Sequence, residues 1–112
     1  MTTSVVQIDA YRTLGHASIS GAFAKVGTPF GHAVRLICIT NNTDGDMIFS
    51  VDGSTNNLFL PKQSFKLFDL NTNRDNDAKL FVLQVGVQFY VKQSTAPTAG
   101  DVYVECIYGL SE

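Results

Sequence analysis

Along much of this chain apolar and polar positions alternate with a period of two. In residues 47–52, Met47, Phe49 and Val51 alternate with Ile48, Ser50 and Asp52; in 86–92, Val87, Phe89 and Val91 alternate with Gln88, Tyr90 and Lys92. In 101–108, Val102, Val104 and Cys106 oppose Tyr103, Glu105 and Ile107. A period of two puts successive side chains on opposite faces of a strand. Further short strands are expected at 4–8, 10–14, 57–60, 64–70 and 79–83. Residues 33–40 (AVRLICIT) are apolar on both pleat faces except at Arg35, the pattern of a strand covered on both sides. The polar run 41–46 (NNTDGD) follows, and its Asn, Asp and Gly are turn formers. Residues 33–52 therefore read as a central hairpin whose turn sets the register of two core strands.

The breaks between strands are equally legible. Four glycines and Pro29 interrupt 15–31, Pro61 ends the strand before it, 71–78 (NTNRDNDA) is apolar only at Ala78, and 94–100 (STAPTAG) breaks again. No segment carries a capped helical period of three turns. Seven to nine short strands at intervals of about 8–12 residues predict an all-β fold. The expected architecture is a single-domain, jelly-roll-like sandwich of antiparallel strands, with a closed barrel second. Residues 1–14 form an N-terminal arm or edge strands, and 15–112 the sandwich body. Pro61, Lys66 and Lys92 can blunt exposed edges.

Composition narrows the classes of function. The 112 residues suffice for one modest core. Only 16% are charged, where about 25% is usual, so part of the surface is expected to be covered by a partner or solvated by Asn, Ser and Thr. The net charge is −2 and the eight Lys and Arg are spread singly, which argues against nucleic acid as a partner. No run approaches the length of a membrane span and no secretory signal is evident, so synthesis in the cytoplasm, no membrane partner and free thiols at Cys38 and Cys106 are expected. The Asn41-Asn42-Thr43 glycosylation match is then read as a turn.

No chemical constellation emerges. His16 and His32 lie in loop-like sequence without Cys, His, Asp or Glu at a metal-ligand spacing. Asp44, Asp46 and Asp52, with Asn41 and Asn42, are oxygen ligands of a kind calcium accepts, but the loop lacks the pattern of a helix–loop–helix calcium site and turn chemistry accounts for it. The polar stretch 71–77 is read the same way. There is no nucleophile elbow and no glycine-rich phosphate cradle. No catalytic residue, metal ligand or cofactor is expected, and the chain is read as non-enzymatic. Phe23, Phe30, Phe49, Phe59, Phe65, Phe68, Phe81 and Phe89 are core candidates first. Trp is absent, and Tyr11, Tyr90, Tyr103 and Tyr108 leave a carbohydrate-binding module as one alternative.

The series IDAYRTL, GTPFGHAVRLICITNNTDGDMIFSVDG, LPKQSFKLFDL, VQFYVKQ and TAGDVYVECIYG resembles small structural proteins of tailed-bacteriophage virions. Within that group it is similar to the jelly-roll decoration, staple or cement proteins on capsids of short-tailed phages. The resemblance spans nearly the whole chain and is one of pattern and size. It implies a protein on the outside of the capsid that joins major capsid protein subunits, as a homodimer or other homo-oligomer. A head-to-tail or tail collar component is the alternative within the virion. The expected partner surface comprises Val5, Val6, Ile8, Tyr11 and Phe30, apolar residues in the irregular N-terminal third.

Overall fold

The structure, a computed structural model, describes residues 4–70 and 83–111. These residues form two antiparallel sheets and one 3-10 turn, His16–Ser18. In chain order the strands are β1 (Ser4–Ile8), β2 (Arg12–Gly15), β3 (Ala24–Lys25), β4 (Val34–Thr43), β5 (Met47–Ser50), β6 (Leu58–Leu60), β7 (Ser64–Asp69), β8 (Tyr90–Gln93) and β9 (Gly100–Ser111). The larger sheet runs β1-β9-β4-β7, with β2 also paired to β9; the smaller runs β3-β8-β5-β6. No strand is shared, so the fold is a sandwich rather than a closed barrel. Of the expected strands, 79–83 falls outside the described residues except for Leu83, which bridges Val34. The loop 71–78 and Phe81 fall outside them entirely.

The central hairpin expected at 33–52 does not form. β4 lies in the larger sheet between β9 and β7, and β5 lies in the smaller sheet between β8 and β6. The physical reason is in 41–46. β4 continues through Asn41, Asn42 and Thr43, and Asn41 and Thr43 are both fully buried. The Asn41 amide donates to the carbonyls of Gly45 (2.9 Å), Leu60 (3.0 Å) and Pro61 (3.1 Å). Its Oδ1 accepts from the amide and hydroxyl of Thr43, at 3.1 and 2.6 Å. The segment is thus tied to the end of β6 and passes across the end of the sandwich from one sheet to the other. Buried polar groups have to find partners. Here they find them in the crossing chain.

The core lies between the facing sheets. From β4 it takes Ile37 and Ile39, from β9 Val102, Val104 and Cys106, from β5 Met47 and Phe49, from β6 Leu60 and from β8 Val91. Residues of the connections, Ile19, Val26, Phe30 and Phe89, close its edge. β4 is buried on this inner face alone; Leu36, Cys38 and Thr40 on its other face are half-exposed. Val51, which the alternation would put inside, follows the end of β5 at Ser50 and is 40% exposed.

β1 and β2 lie one after the other along the same edge of β9, Ser4–Ile8 opposite its C-terminal half and Arg12–Gly15 opposite its N-terminal half. Arg12 fastens this edge to the body. Its guanidinium donates to Thr28 O (2.7 Å) and Pro29 O (3.2 Å), pairs with Asp9 Oδ2 (3.2 Å), and lies 4.8 Å from the centre of the Phe30 ring.

Candidate functional site

Cysteine, histidine and carboxylate chemistry is taken up by structure. Burial, reinforced by the Asp9 carboxylate, pushes the Cys106 thiol up to about 11, so it is a poor nucleophile at neutral pH. His16 Nδ1 is 3.1 Å from Gly100 O, whereas the His32 ring stacks on Tyr108 at 3.7 Å between centroids. The calcium candidates diverge. Asn41 points into the core, Asp44 accepts from Thr98 and Ala99, Asp46 accepts from the Lys62 amide at 2.9 Å, and Asp52 closes its own turn on Ser54 and Thr55. Among the described residues no group of three or more His, Cys, Asp or Glu could hold a metal ion. Nor, among them, is any helix long and apolar enough to cross a membrane.

What the fold does present is an apolar outer face on the larger sheet. Because Val102, Val104 and Cys106 turn inward, the alternating residues of β9 turn outward, and register carries that face across the neighbouring strands. Tyr103 lies opposite Thr40, and Thr40 opposite Phe65. Glu105 lies opposite Cys38, and Cys38 opposite Leu67. Ile107 lies opposite Leu36 on one side and Ile8 on the other, with Val6 beside Gly109. Exposure is 81% for Ile8, 66% for Val6, 65% for Phe65, 63% for Tyr11 and 56% for Leu67. Exposed apolar residues scattered singly need no explanation, but a contiguous patch of several hundred Å² marks an interaction surface.

The face is shaped as well as apolar. Three shallow depressions run along it: one of about 270 Å³ between Tyr11, Tyr103 and Glu105, one of about 170 Å³ around Ile8, Leu36, Cys38 and Ile107, and one of about 240 Å³ around Val6, Arg35 and Asp69. The Tyr11 and Tyr103 rings meet edge-to-face at 5.9 Å. Tyr103 donates its hydroxyl to Asp101 Oδ2 at 3.2 Å, and that bond to a carboxylate raises the phenol above its ordinary value.

Neither a family model nor a curated protein matches the sequence. Among solved structures, the fold is similar to the crystal structure of the phage SPP1 Dit protein, described as a paradigm of the hub adsorption apparatus in phages infecting Gram-positive hosts. The TM-score is 0.41 and the identity 15%, over 94% of this chain and 49% of that one. The chain spans about half the length of that structure, and a likeness so distant transfers neither a role nor a residue.

Of the residues expected at a partner surface, Val6, Ile8 and Tyr11 lie on this outer face. Val5 alternates with them in β1, in register with Leu110, and its side chain lies outside the described set. Phe30 requires correction: it is 2% exposed, packs edge-to-face on Phe89 at 5.8 Å under the Arg12 guanidinium, and belongs to the core. Its flanking glycines suggest a surface loop, yet the Phe30 amide donates to Val87 O at 2.9 Å and holds the loop inward. The residues missed were Phe65, Leu67, Tyr103, Glu105 and Ile107. Their alternation was visible in sequence; which side of the sheet faces water was not. Tyr90 lies on the smaller sheet against Gly53, so it forms no platform with Tyr103.

Proposed function

We propose that this is a non-enzymatic structural protein of a phage virion, a decoration protein that binds the outside of the capsid and staples neighbouring major capsid protein subunits. The observation that carries the reading is the contiguous apolar outer face of the larger sheet, joined to a sequence pattern resembling capsid staple proteins. The exposed parts of Val6, Ile8, Tyr11, Phe65 and Leu67, with the half-exposed residues between them, form one continuous apolar surface across the sheet. A protein that binds only the assembled shell stabilises it by mass action. Homo-oligomers, including dimers about a two-fold axis, suit symmetric sites on such a shell.

Electron microscopy and quantitative mass spectrometry of particles test the reading. Many symmetrically placed copies over the shell are expected, and Leu67→Asp or Phe65→Asp should leave a folded protein that no longer binds shells. Copies confined to one ring at a single vertex would replace it with a neck or tail role.

A further inference from the structure

The geometry points to a guanidinium-binding notch on this face: Tyr11, Tyr103 and Glu105 receive an arginine side chain of a different protein. The inference rests on the proposed function only for the identity of that partner. The depression between these residues, about 270 Å³, has room for a guanidinium and part of its stem. Its walls are two tyrosine rings at 67° to each other, which offer π faces to a planar cation. Glu105 is exposed in the middle of the apolar face, on the inward-flanked row between Cys38 and its neighbours. Asp101 adds a second carboxylate and orients the Tyr103 ring through its hydroxyl.

The chemistry of the notch is rich in acceptors. The carboxylates accept only, and the Tyr103 proton is already given to Asp101. A sugar brings donors and acceptors in equal measure and stacks on a flat open ring, whereas these rings form a corner. A guanidinium brings five donors, no acceptors and a positive charge. Burying Glu105 under an uncharged apolar partner would leave an unpaired carboxylate in the interface, which is costly. An arginine removes that cost, and Tyr and Arg are the residues most often found at energetic centres of interfaces.

Among the described residues, the arginines of a second copy are already engaged within their own chain. Of the arginines among the described residues, Arg12 is used within the fold, and Arg35 lies flat over Gly109 of its own chain, where even a Cβ would meet the guanidinium. Lys66 lies in register with buried Ile39 on the other side of the sheet, and Lys25 and Lys92 are on strands of the smaller sheet.

The full chain, labelled for observation of tyrosine ring signals by NMR, is titrated with Ac-Gly-Arg-Gly-NH2, with the isosteric citrulline peptide and with a neutral oligosaccharide mixture. Saturable shifts of Tyr11 and Tyr103 with the arginine peptide are expected, about tenfold weaker with citrulline and similarly weakened in Glu105→Gln. Unchanged amide signals of Phe49 and Val91, core residues of the opposite sheet, would show that the variant is folded. No saturable shift, equal response to citrulline, full response in Glu105→Gln, or preference for the oligosaccharide would each overturn the notch. The two readings fail separately. Decorated particles with no arginine response would remove the notch alone, and an arginine response in a protein not found in particles would remove the virion role alone.

Discussion

Replacing Asn41 by Ala should be among the most damaging single changes outside the apolar core. The side chain is fully buried and makes hydrogen bonds with Gly45, Leu60, Pro61 and Thr43, joining the crossing segment to the end of β6. Its two amide protons serve three carbonyls, so Ala leaves at least two buried acceptors unserved and frees the Thr43 amide and hydroxyl from Oδ1. At about 1 kcal/mol for each lost or unsatisfied group, the cost is about 3–4 kcal/mol. A domain of this size has a total stability of about 5–15 kcal/mol, so that is a large fraction, and the expected fall in Tm is about 12–16 °C. Asn41→Asp should be worse, because it sets a carboxylate against carbonyl oxygens. Urea unfolding with the slope as well as the midpoint measures the effect. Exposed Asn42, the next residue of the same strand, is the control and should change stability by less than about 0.5 kcal/mol on substitution by Ala. If Asn41→Ala and Asn42→Ala were equally mild, with unchanged slopes, the crossing segment would not be held as argued.

Four further outcomes follow from individual contacts. Gly100 has φ +92° and a Cβ there would run into Asn42 O, so Gly100→Ala should cost at least about 2 kcal/mol, whereas Gly31→Ala, with open space around it, should be near neutral in the same urea assay. The Thr98 hydroxyl and amide hold the Asp44 carboxyl down to about 2, and Thr55 and Ser54 hold Asp52 well below the carboxylate range. Both folded values lie below the ordinary 3.8, so their stabilisation is present above about pH 4 and lost as pH falls toward 2; Asp44→Ala should flatten that limb of a stability–pH curve. Cys38 and Cys106 lie on opposite faces of adjacent strands and are free, so intact mass should be the same with and without reductant, and iodoacetamide at pH 8 should modify Cys38 first. Deleting residues 1–12 removes Arg12 and uncovers an edge of β9, so the truncated chain should lose stability or aggregate by light scattering; a monomer as stable as the full chain would refute the anchoring role of Arg12.

The parts of this fold that could be read from the sequence are those governed by local periodicity. Val102, Val104 and Cys106 announced a one-sided strand and are buried as a row, and Met47 and Phe49 behave likewise. Pairing partners were not readable in the same way. Alternation assigns faces along a strand but says nothing about which strand lies beside it, and a polar run between two apolar ones looks the same whether it closes a hairpin or crosses between sheets. Asn41 and Thr43 illustrate this: they have the composition of a turn and the burial of a core. β7 shows the corresponding ambiguity for the functional face, since Phe65 and Leu67 on one side alternate with Lys66 and Phe68 on the other. Both sides carry large apolar groups, and only the packing of Phe68 against the core decides that Phe65 and Leu67 face outward. Phe30 erred in the opposite sense, because glycine-rich surroundings conceal a backbone bond to Val87 that exists only once β8 and its approach are in place.

The position of β9 in the larger sheet has a consequence for how the protein is made. This strand pairs with β1, β2 and β4, yet it follows all of them by more than half the chain. While the ribosome is still extending residues 1–99, β4 has no neighbour on the β9 side, and β1 and β2 have no template on which to form. Closing such long loops is entropically expensive and slows folding. The nascent chain must therefore hold Ile37, Ile39 and the outward apolar row in a state exposed to other chains until β9 emerges. Rapid, abundant synthesis would make chaperone capacity during translation, rather than the stability of the finished sandwich, the factor limiting soluble yield.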